Sequence, residues 1–504
     1  MLAPPGVSIA EFSDVLRAFR HIVGAEWVLT DKQHLQAYQD PYSPLQWGSH
    51  QPRPSAVVLP QELEELQQIV RIANSYRTPL WILSTGKNFP YGGPEARVDG
   101  SIILNLERMN RILELDADNY YALVEPGVTH FDLWQAIRKQ GYPLWIDSPG
   151  PAHTSILSST LERATSNGLA GDSFAQICGI EIILANGSQM RTGTGAIPGS
   201  QSWQQQKYGL GPYIDGLFSQ SNLGIVTKLG VWLLPEPEHF MLARVIVPKY
   251  EDISTLIDVL KPLRMSGTIR NSLSITPYTG SGSSLRQIAP IGKERGSGWL
   301  VNLGFYGNEA IISAQWRDTQ SKLTQAIAKV QTKTYAFSAP YDPEHMQSDA
   351  KLIAGIPSFA ESQAWDHHSL LTSLLLPNIG SHFFKAIQLI KNISNQYDWP
   401  AFTVHLYNRD AHSLMLRVRS PIGTDQEDGR KVVRMMTELI IQAGKAGYGE
   451  ARAPLLYMDQ AMNAYRFNDG ALLKFYEQLK DALDPRGILA PGKNGIWPKV
   501  MRPS

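Results

Sequence analysis

The chain has 504 residues, too many for one small core, and at about 100–200 residues per domain it divides into two or three units. Lys+Arg and Asp+Glu both total 46, so the formal charge is zero; no nucleic acid or membrane partner is expected, and a small molecule is. The lone cysteine, Cys178, excludes an internal disulfide framework and a cysteine metal cluster and is expected as a packed core thiol.

The start, MLAPPGVSIAEFSDVLRAF, lacks the charge pattern and long apolar run of a secretory signal, and no window approaches the roughly 20 apolar residues of a membrane span. The expected location is the cytoplasm. Ser8–Val23 has apolar residues at helical spacing after a Ser and predicts a short helix. From Pro54 the pattern turns regular. SAVVLP is a strand, QELEELQQIVRIANSY an amphipathic helix and TPLWILS a second strand, together a βαβ-like unit. That second strand feeds STGKNFPYGG (84–93), with three glycines, a hydroxyl pair and a tyrosine in ten residues. Such a stretch either turns the chain or cradles a phosphate, because glycines let successive N–H groups face one anion.

Gly100–Leu106, Arg111–Asp116 and Tyr120–Glu125 read as strands, and Thr129–Gln140 as a helix. Tyr142–Arg163 then runs from PLWIDSPGPAHTSI into a helix start at SSTLER, a second place where backbone amides can meet an anion. Cys178–Ala185, an Ala-Asn-Gly turn and Gln189–Gly193 predict a hairpin, and Tyr208–Gly230 combines many glycines with buried-type side chains. Pro235-Glu-Pro237 punctuates the chain. Beyond it, strands at ARVIVP, WLVNLGFYG and LMLRVR alternate with helices expected at Ile253–Arg264, Glu309–Lys333 and Lys431–Ala446, which suggests an antiparallel sheet covered by helices. The tail forms a helix stopped at Asp484-Pro485-Arg486-Gly487, followed by a Pro/Gly-rich strap.

The segments PLWILSTGKNFPYGG (79–93), VEPGVT (124–129), LWIDSPG (144–150), LANGSQMRTGTGA (184–196), GLGPYIDGLFSQSNLGIVTKLGVWLLPEP (209–237) and ALDPRGILAPGKNGIWP (482–498) resemble, in order and spacing, the vanillyl-alcohol oxidase and p-cresol methylhydroxylase family of flavoproteins. The resemblance implies an α+β protein. An FAD-binding domain of the PCMH type, residues 1–240 completed by 458–504, would carry a cap domain, 241–457, built on the antiparallel sheet. It implies a diphosphate cradle at Thr85, Gly86, Lys87 and Asn88, with Gly92 beside it and a second arm at Pro149, Gly150 and Ser155. Gly224 and Ile225 would meet the adenine half, and Lys493 would approach the ring from the strap. A homodimer is expected on the same ground.

Family members oxidise para-substituted phenols by hydride transfer from the benzylic carbon to flavin N5, through a quinone methide. A free phenol titrates near ~10, so the site must favour its anion with donors and positive charge. Tyr91 matches the family tyrosine that donates to this oxygen and Arg452 the arginine beside it; the structural alternative for Arg452 is a pair with Glu450. A tyrosine normally precedes that arginine, and here the residue is Ala451, with Tyr448 as a nearby substitute. The oxidases carry an aspartate near N5 where this chain has Gly150; His153 is a candidate stand-in, while Asp147 matches a structural position. The histidine that carries covalent flavin in the oxidases maps to His368, with His367 next; covalent and non-covalent FAD both stay open, and no metal is expected. The reading is thus FAD-dependent oxidation of a para-substituted phenol or aromatic alcohol, with oxygen or a cytochrome as electron acceptor. The alternatives are a dehydrogenase serving a separate cytochrome, since CxxCH is missing, or a flavin-binding protein with a non-phenolic substrate or little turnover.

Overall fold

The computed structural model describes residues 2–39, 51–87, 91–278, 298–359, 369–399, 402–422 and 426–502. The first helix, Ile9–Val23, is opened by a capping box in which Ser8 accepts from the Glu11 N–H and the Glu11 carboxylate accepts from the Ser8 N–H. Its buried face, Phe12, Val15, Leu16, Phe19 and Val23, packs with Leu66, Ile69, Val70 and Ala73 of the helix Leu63–Ser75 over one side of a small sheet. Each such side chain contributes roughly 1.5–3 kcal/mol by leaving water. The role of this helix, unreadable in the sequence, is therefore core.

That sheet runs β1 (Val28–Leu29), β2 (Ala56–Val58), β4 (Ile102–Asn105), β3 (Leu80–Leu83). Strands β2 and β3 lie parallel on either side of β4. The C-terminal strap closes the far edge of β3, where Leu80 N–H donates to Ile488 O and Ala490 N–H to Leu80 O. A second sheet is β5 (Ile112–Asp116), β6 (Tyr121–Val124), β10 (Ile225–Trp232), β8 (Ile177–Ile183), β9 (Gln189–Arg191), and β7 (Leu144–Trp145) pairs with β11 (Leu234–Pro235). Cys178 is fully buried in β8, as a core thiol.

The third sheet is antiparallel throughout, in the order β15 (Gln331–Ser338), β12 (His239–Val247), β14 (Gly298–Gly307), β13 (Leu273–Tyr278), β17 (Thr403–Asn408), β18 (Ser413–Pro421), β16 (Ser369–Pro377). Its apolar face, with Val404, Leu406, Leu414, Leu416 and Val418, is buried under the helices Ile253–Met265, Gly380–Gln396 and Gln426–Lys445. Its other face carries His405, Tyr407, Arg417 and Arg419, because side chains alternate along a strand. The helix expected over Glu309–Lys333 stops at Ala326, and Gln331–Lys333 begin β15. Gln-Thr-Lys-Thr-Tyr alternates with period two and its threonines favour extended backbone, which the helical reading overlooked. Among the described residues no helix is long and apolar enough to cross a membrane.

Candidate functional site

β3 carries the chain into the glycine-rich turn. Ser84 is buried with its Oγ unpartnered, Gly86 takes φ +65°, and Thr85 and Gly86 are half-buried while Lys87 is exposed. Asn88 lies outside the described residues. Gly92 has φ +116°, and a Cβ there would come within 2.4 Å of Leu455, so the turn closes on the 453–458 segment only because that side chain is missing.

The second arm is tied to the third sheet's domain rather than hanging free. Gly150, at φ +119°, donates its N–H to Ser148 Oγ at 3.2 Å and accepts from the Ser358 N–H at 2.7 Å; Pro149 precedes it, half-buried. Ser155 is an N-cap: its Oγ accepts from the Ser158 N–H and donates to Pro126 O at 2.6 Å, so its hydroxyl is committed within the protein. His153 is exposed and meets Phe359 edge-on at 5.0 Å; the structure does not bring it into the Tyr91 cluster. Asp147 is structural, accepting from Ser166 and Ser173, and burial pushes its carboxyl up to about 6.

Gly224 opens β10, where a Cβ would meet Ile182 at 2.5 Å, and Ile225 beside it is buried. Asn222 donates to Ala490 O and Ile496 O and so binds this segment to the strap, while its Oδ1 is buried and unpartnered. Two orphaned buried oxygens at the ends of two glycine-bearing segments fit a polar, phosphate-bearing cofactor with hydroxyl and amine groups. Lys493 stands on the strap with Nζ 2.6 Å from Glu162, which also faces Arg452 at 3.6 Å. Burial alone would raise the Glu162 carboxyl, but Lys493, Arg452 and Arg163 outweigh it and hold it below the ordinary range.

Tyr91 and Arg452, 361 residues apart in the chain, do meet: the guanidinium lies 4.0 Å from the ring centroid. Arg452 is paired with Glu162 and not with Glu450. Glu450 instead accepts from Thr372 Oγ1 and from the Ser373 N–H at 2.5 Å, and burial pushes its carboxyl up to about 7. Ala451 leaves a gap beside Arg452, where a cavity of about 230 Å³ opens, also lined by Arg163, Gln220 and Tyr476. Tyr448 does not fill it, because its hydroxyl lies 3.0 Å from His382 Nδ1, among the helices that cover the sheet. His368 and His367 lie outside the described residues.

Sequence reasoning missed Arg417, His405 and Tyr407. Burial works against the Arg417 charge, but Tyr407 and, after it, Tyr91 outweigh it and hold the guanidinium above its ordinary pKa; Arg417 donates to Tyr407 OH at 3.2 Å. The available signal was LMLRVR, where arginines two apart share one face of a strand whose other face is apolar.

An FAD binding domain family model matches residues 54–193. The chain is 31% identical over 520 residues to the 4-cresol dehydrogenase [hydroxylating] flavoprotein subunit of Pseudomonas putida, covering 98% of this chain and 97% of that one. The structure of 4-ethylphenol oxidase from Gulosibacter chungangensis, an isoeugenol complex, superimposes with a TM-score of 0.90 at 28% identity, covering 99% of this chain and 100% of that one. p-Cresol methylhydroxylase with substrate bound superimposes with a TM-score of 0.86 at 28% identity, covering 99% of each chain.

Proposed function

The chain belongs to the p-cresol methylhydroxylase and vanillyl-alcohol oxidase family of FAD-dependent oxidoreductases, and within it we propose that this enzyme oxidises a para-substituted phenol at the benzylic carbon. We assign residues 1–240 with 458–504 to the FAD-binding unit and 241–457 to the cap. The observation that carries the substrate reading is the Arg452 guanidinium over the Tyr91 ring at 4.0 Å.

FAD, when bound, supplies the acceptor for the hydride and its electron pair. The residues suited to hold it are Thr85–Lys87 and Gly92 of the first turn, the backbone of Pro149, Gly150 and Ser155, Gly224 and Ile225, and Lys493. Tyr91 donates its O–H to the phenol oxygen and Arg452 supplies positive charge, so the phenol's proton is released before the C–H bond breaks. The anion's charge, pushed through the ring, weakens the benzylic C–H bond, and loss of hydride leaves a neutral quinone methide. Water can then add at the benzylic carbon with release of a proton. Position 150, a glycine, offers that water no carboxylate base.

The test is anaerobic mixing of purified holoenzyme with 4-ethylphenol and, separately, with its methyl ether. Flavin absorbance is expected to bleach with the phenol and to persist with the ether; bleaching by neither, or equally by both, overturns the reading. Oxygen uptake compared with dye reduction under the same conditions assigns the electron acceptor, and acid denaturation that releases all yellow colour excludes a covalent link through His368.

A further inference from the structure

We propose that Arg417, with Ser373 beside it, forms a second seat for the substrate's ionised oxygen, joining Tyr91 and Arg452 where position 451 has no tyrosine. This deepens the phenol reading and rests on it. In the third sheet, Arg417 of β18 lies directly opposite Ser373 of β16 on one side and His405 of β17 on the other, so the three side chains leave the same face. That is the face turned away from the apolar helix layer and toward Tyr91.

Arg417 is held from one edge. Its Nη1 donates to Tyr407 OH at 3.2 Å, its guanidinium lies 4.8 Å from the Tyr407 ring centroid, and Tyr407 stacks on His405 at 4.1 Å and 13°. Burial, followed by Arg417 and Arg419, holds the His405 imidazole well below its ordinary pKa, so the ring is neutral. Its Nδ1 lies 3.3 Å from Tyr407 OH and its Nε2 2.6 Å from Ser274 Oγ, with one ring nitrogen donating and the other accepting. This chain fixes the guanidinium through Nη1.

Two donors on this face lack such partners. Arg417 Nε and Ser373 Oγ are both inaccessible to water and make no hydrogen bond. A buried donor left unpaired costs about 1–3 kcal/mol, and two in register on one face of a sheet are what an anion would satisfy. The charged and titratable groups facing them are Tyr91 from the turn after β3, Glu450 and Arg452 from the 450–452 segment, His405 and Tyr407 from β17, and Arg419 from β18. The carboxylate among these, Glu450, already accepts from Thr372, the Ser373 N–H and the Arg452 N–H, and burial pushes it up to about 7. Positive charge therefore dominates at the Tyr91 hydroxyl. An oxygen placed there would accept from Tyr91 with the Arg417 guanidinium beside it and the Arg452 guanidinium over the Tyr91 ring at 4.0 Å, an arrangement that favours a phenolate over a phenol.

The experiment titrates purified holoenzyme with 4-hydroxybenzaldehyde, a chromophoric phenol whose absorbance reports its ionisation, across a pH series. The wild type is expected to bind the anion at pH values at least one unit below the free phenol's pKa. Arg417→Met is expected to raise the bound phenol's pKa by about one unit, which is about tenfold weaker binding of the anion, and Arg417→Lys to recover part of the loss. Tyr407→Phe, which keeps the arginine but frees its held edge, is expected to shift the pKa in the same direction by less, and serves if Arg417→Met does not fold. A wild type that binds the anion while Arg417→Met, or Tyr407→Phe in its place, leaves the bound pKa unchanged overturns the assignment of Arg417 alone. A wild type that binds the phenol only in neutral form, or not at all, overturns the phenol reading and this seat with it.

Discussion

Two ion clusters in the C-terminal part of the molecule use the same residue types to opposite ends. Lys480 is fully buried, and its three ammonium protons go to Asn222 O, Leu489 O and Asp484, whose own oxygens also accept from the Ile488 and Leu489 N–H groups. Every valence is closed within the protein, and the cluster fastens the strap. Around Arg452, by contrast, the ion pair to Glu162 is long at 3.6 Å, the guanidinium covers Tyr91, a cavity opens at its side, and Arg417 and Ser373 nearby keep unpartnered donors. What separates a structural cluster from a binding site is whether hydrogen-bonding capacity is exhausted, not whether charge is buried.

The largest effect should come from breaking the closed cluster. Lys480→Met leaves the Asp484 carboxylate buried without its counter-charge, and a loss of about 3–5 kcal/mol is expected, read as a lower unfolding midpoint in urea together with loss of flavin from the purified protein. Were this variant as stable as the parent, the contrast between the two clusters would collapse. In the open cluster the expectation reverses: Arg452→Met should keep stability and flavin content near the parent while kcat/KM for 4-ethylphenol falls about 10²–10³-fold, the range for removing one oxyanion donor.

Glu450 lies beside the open cluster with its oxygens already accepting from Thr372 and the Ser373 N–H, and it sharpens the boundary between the two. Its folded-state pKa of about 7 lies above the ordinary value of 4.5, so between those pH values the native state holds a proton that the unfolded chain has released. Stability should therefore fall as pH rises from 4.5 to 7, by about 3 kcal/mol in all, and Glu450→Gln should flatten that slope in chemical denaturation run across the window. The smallest effect concerns the second arm. Gly150→Asp, the change that would install the oxidase carboxylate, places a Cβ at φ +119° and is expected to cost about 1–2 kcal/mol in thermal or chemical unfolding.

The first half of the molecule was legible because its signals are local. Ser8 with Glu11, and Thr129 with Asp132, each pair spaced by three, announce helix starts. The Ser84–Gly93 glycines announce a turn whatever they bind. The long helical reading of 309–333 failed where period two replaces period 3.6 within a few residues, and Ser369–Pro377 was not singled out because an apolar run of its kind suits helix and strand alike. Within the site, Tyr91 and Arg452 were found through resemblance, whereas Tyr448 was proposed from nearness along the chain and sits instead on His382.

The sequence by itself determined most strands and helices of the first half, the glycine-rich turns, the family and hence FAD, since each is carried by short segments whose residues lie within a few positions of one another. Only the tertiary structure decided which charges are satisfied. Arg452 chose Glu162 over its neighbour Glu450, and Arg417 came to face Tyr91 from a strand more than 300 positions away in the chain. The physical reason is that a hydrogen bond or ion pair depends on distances of a few ångströms, which sheet register and the docking of the cap determine and spacing along the chain does not.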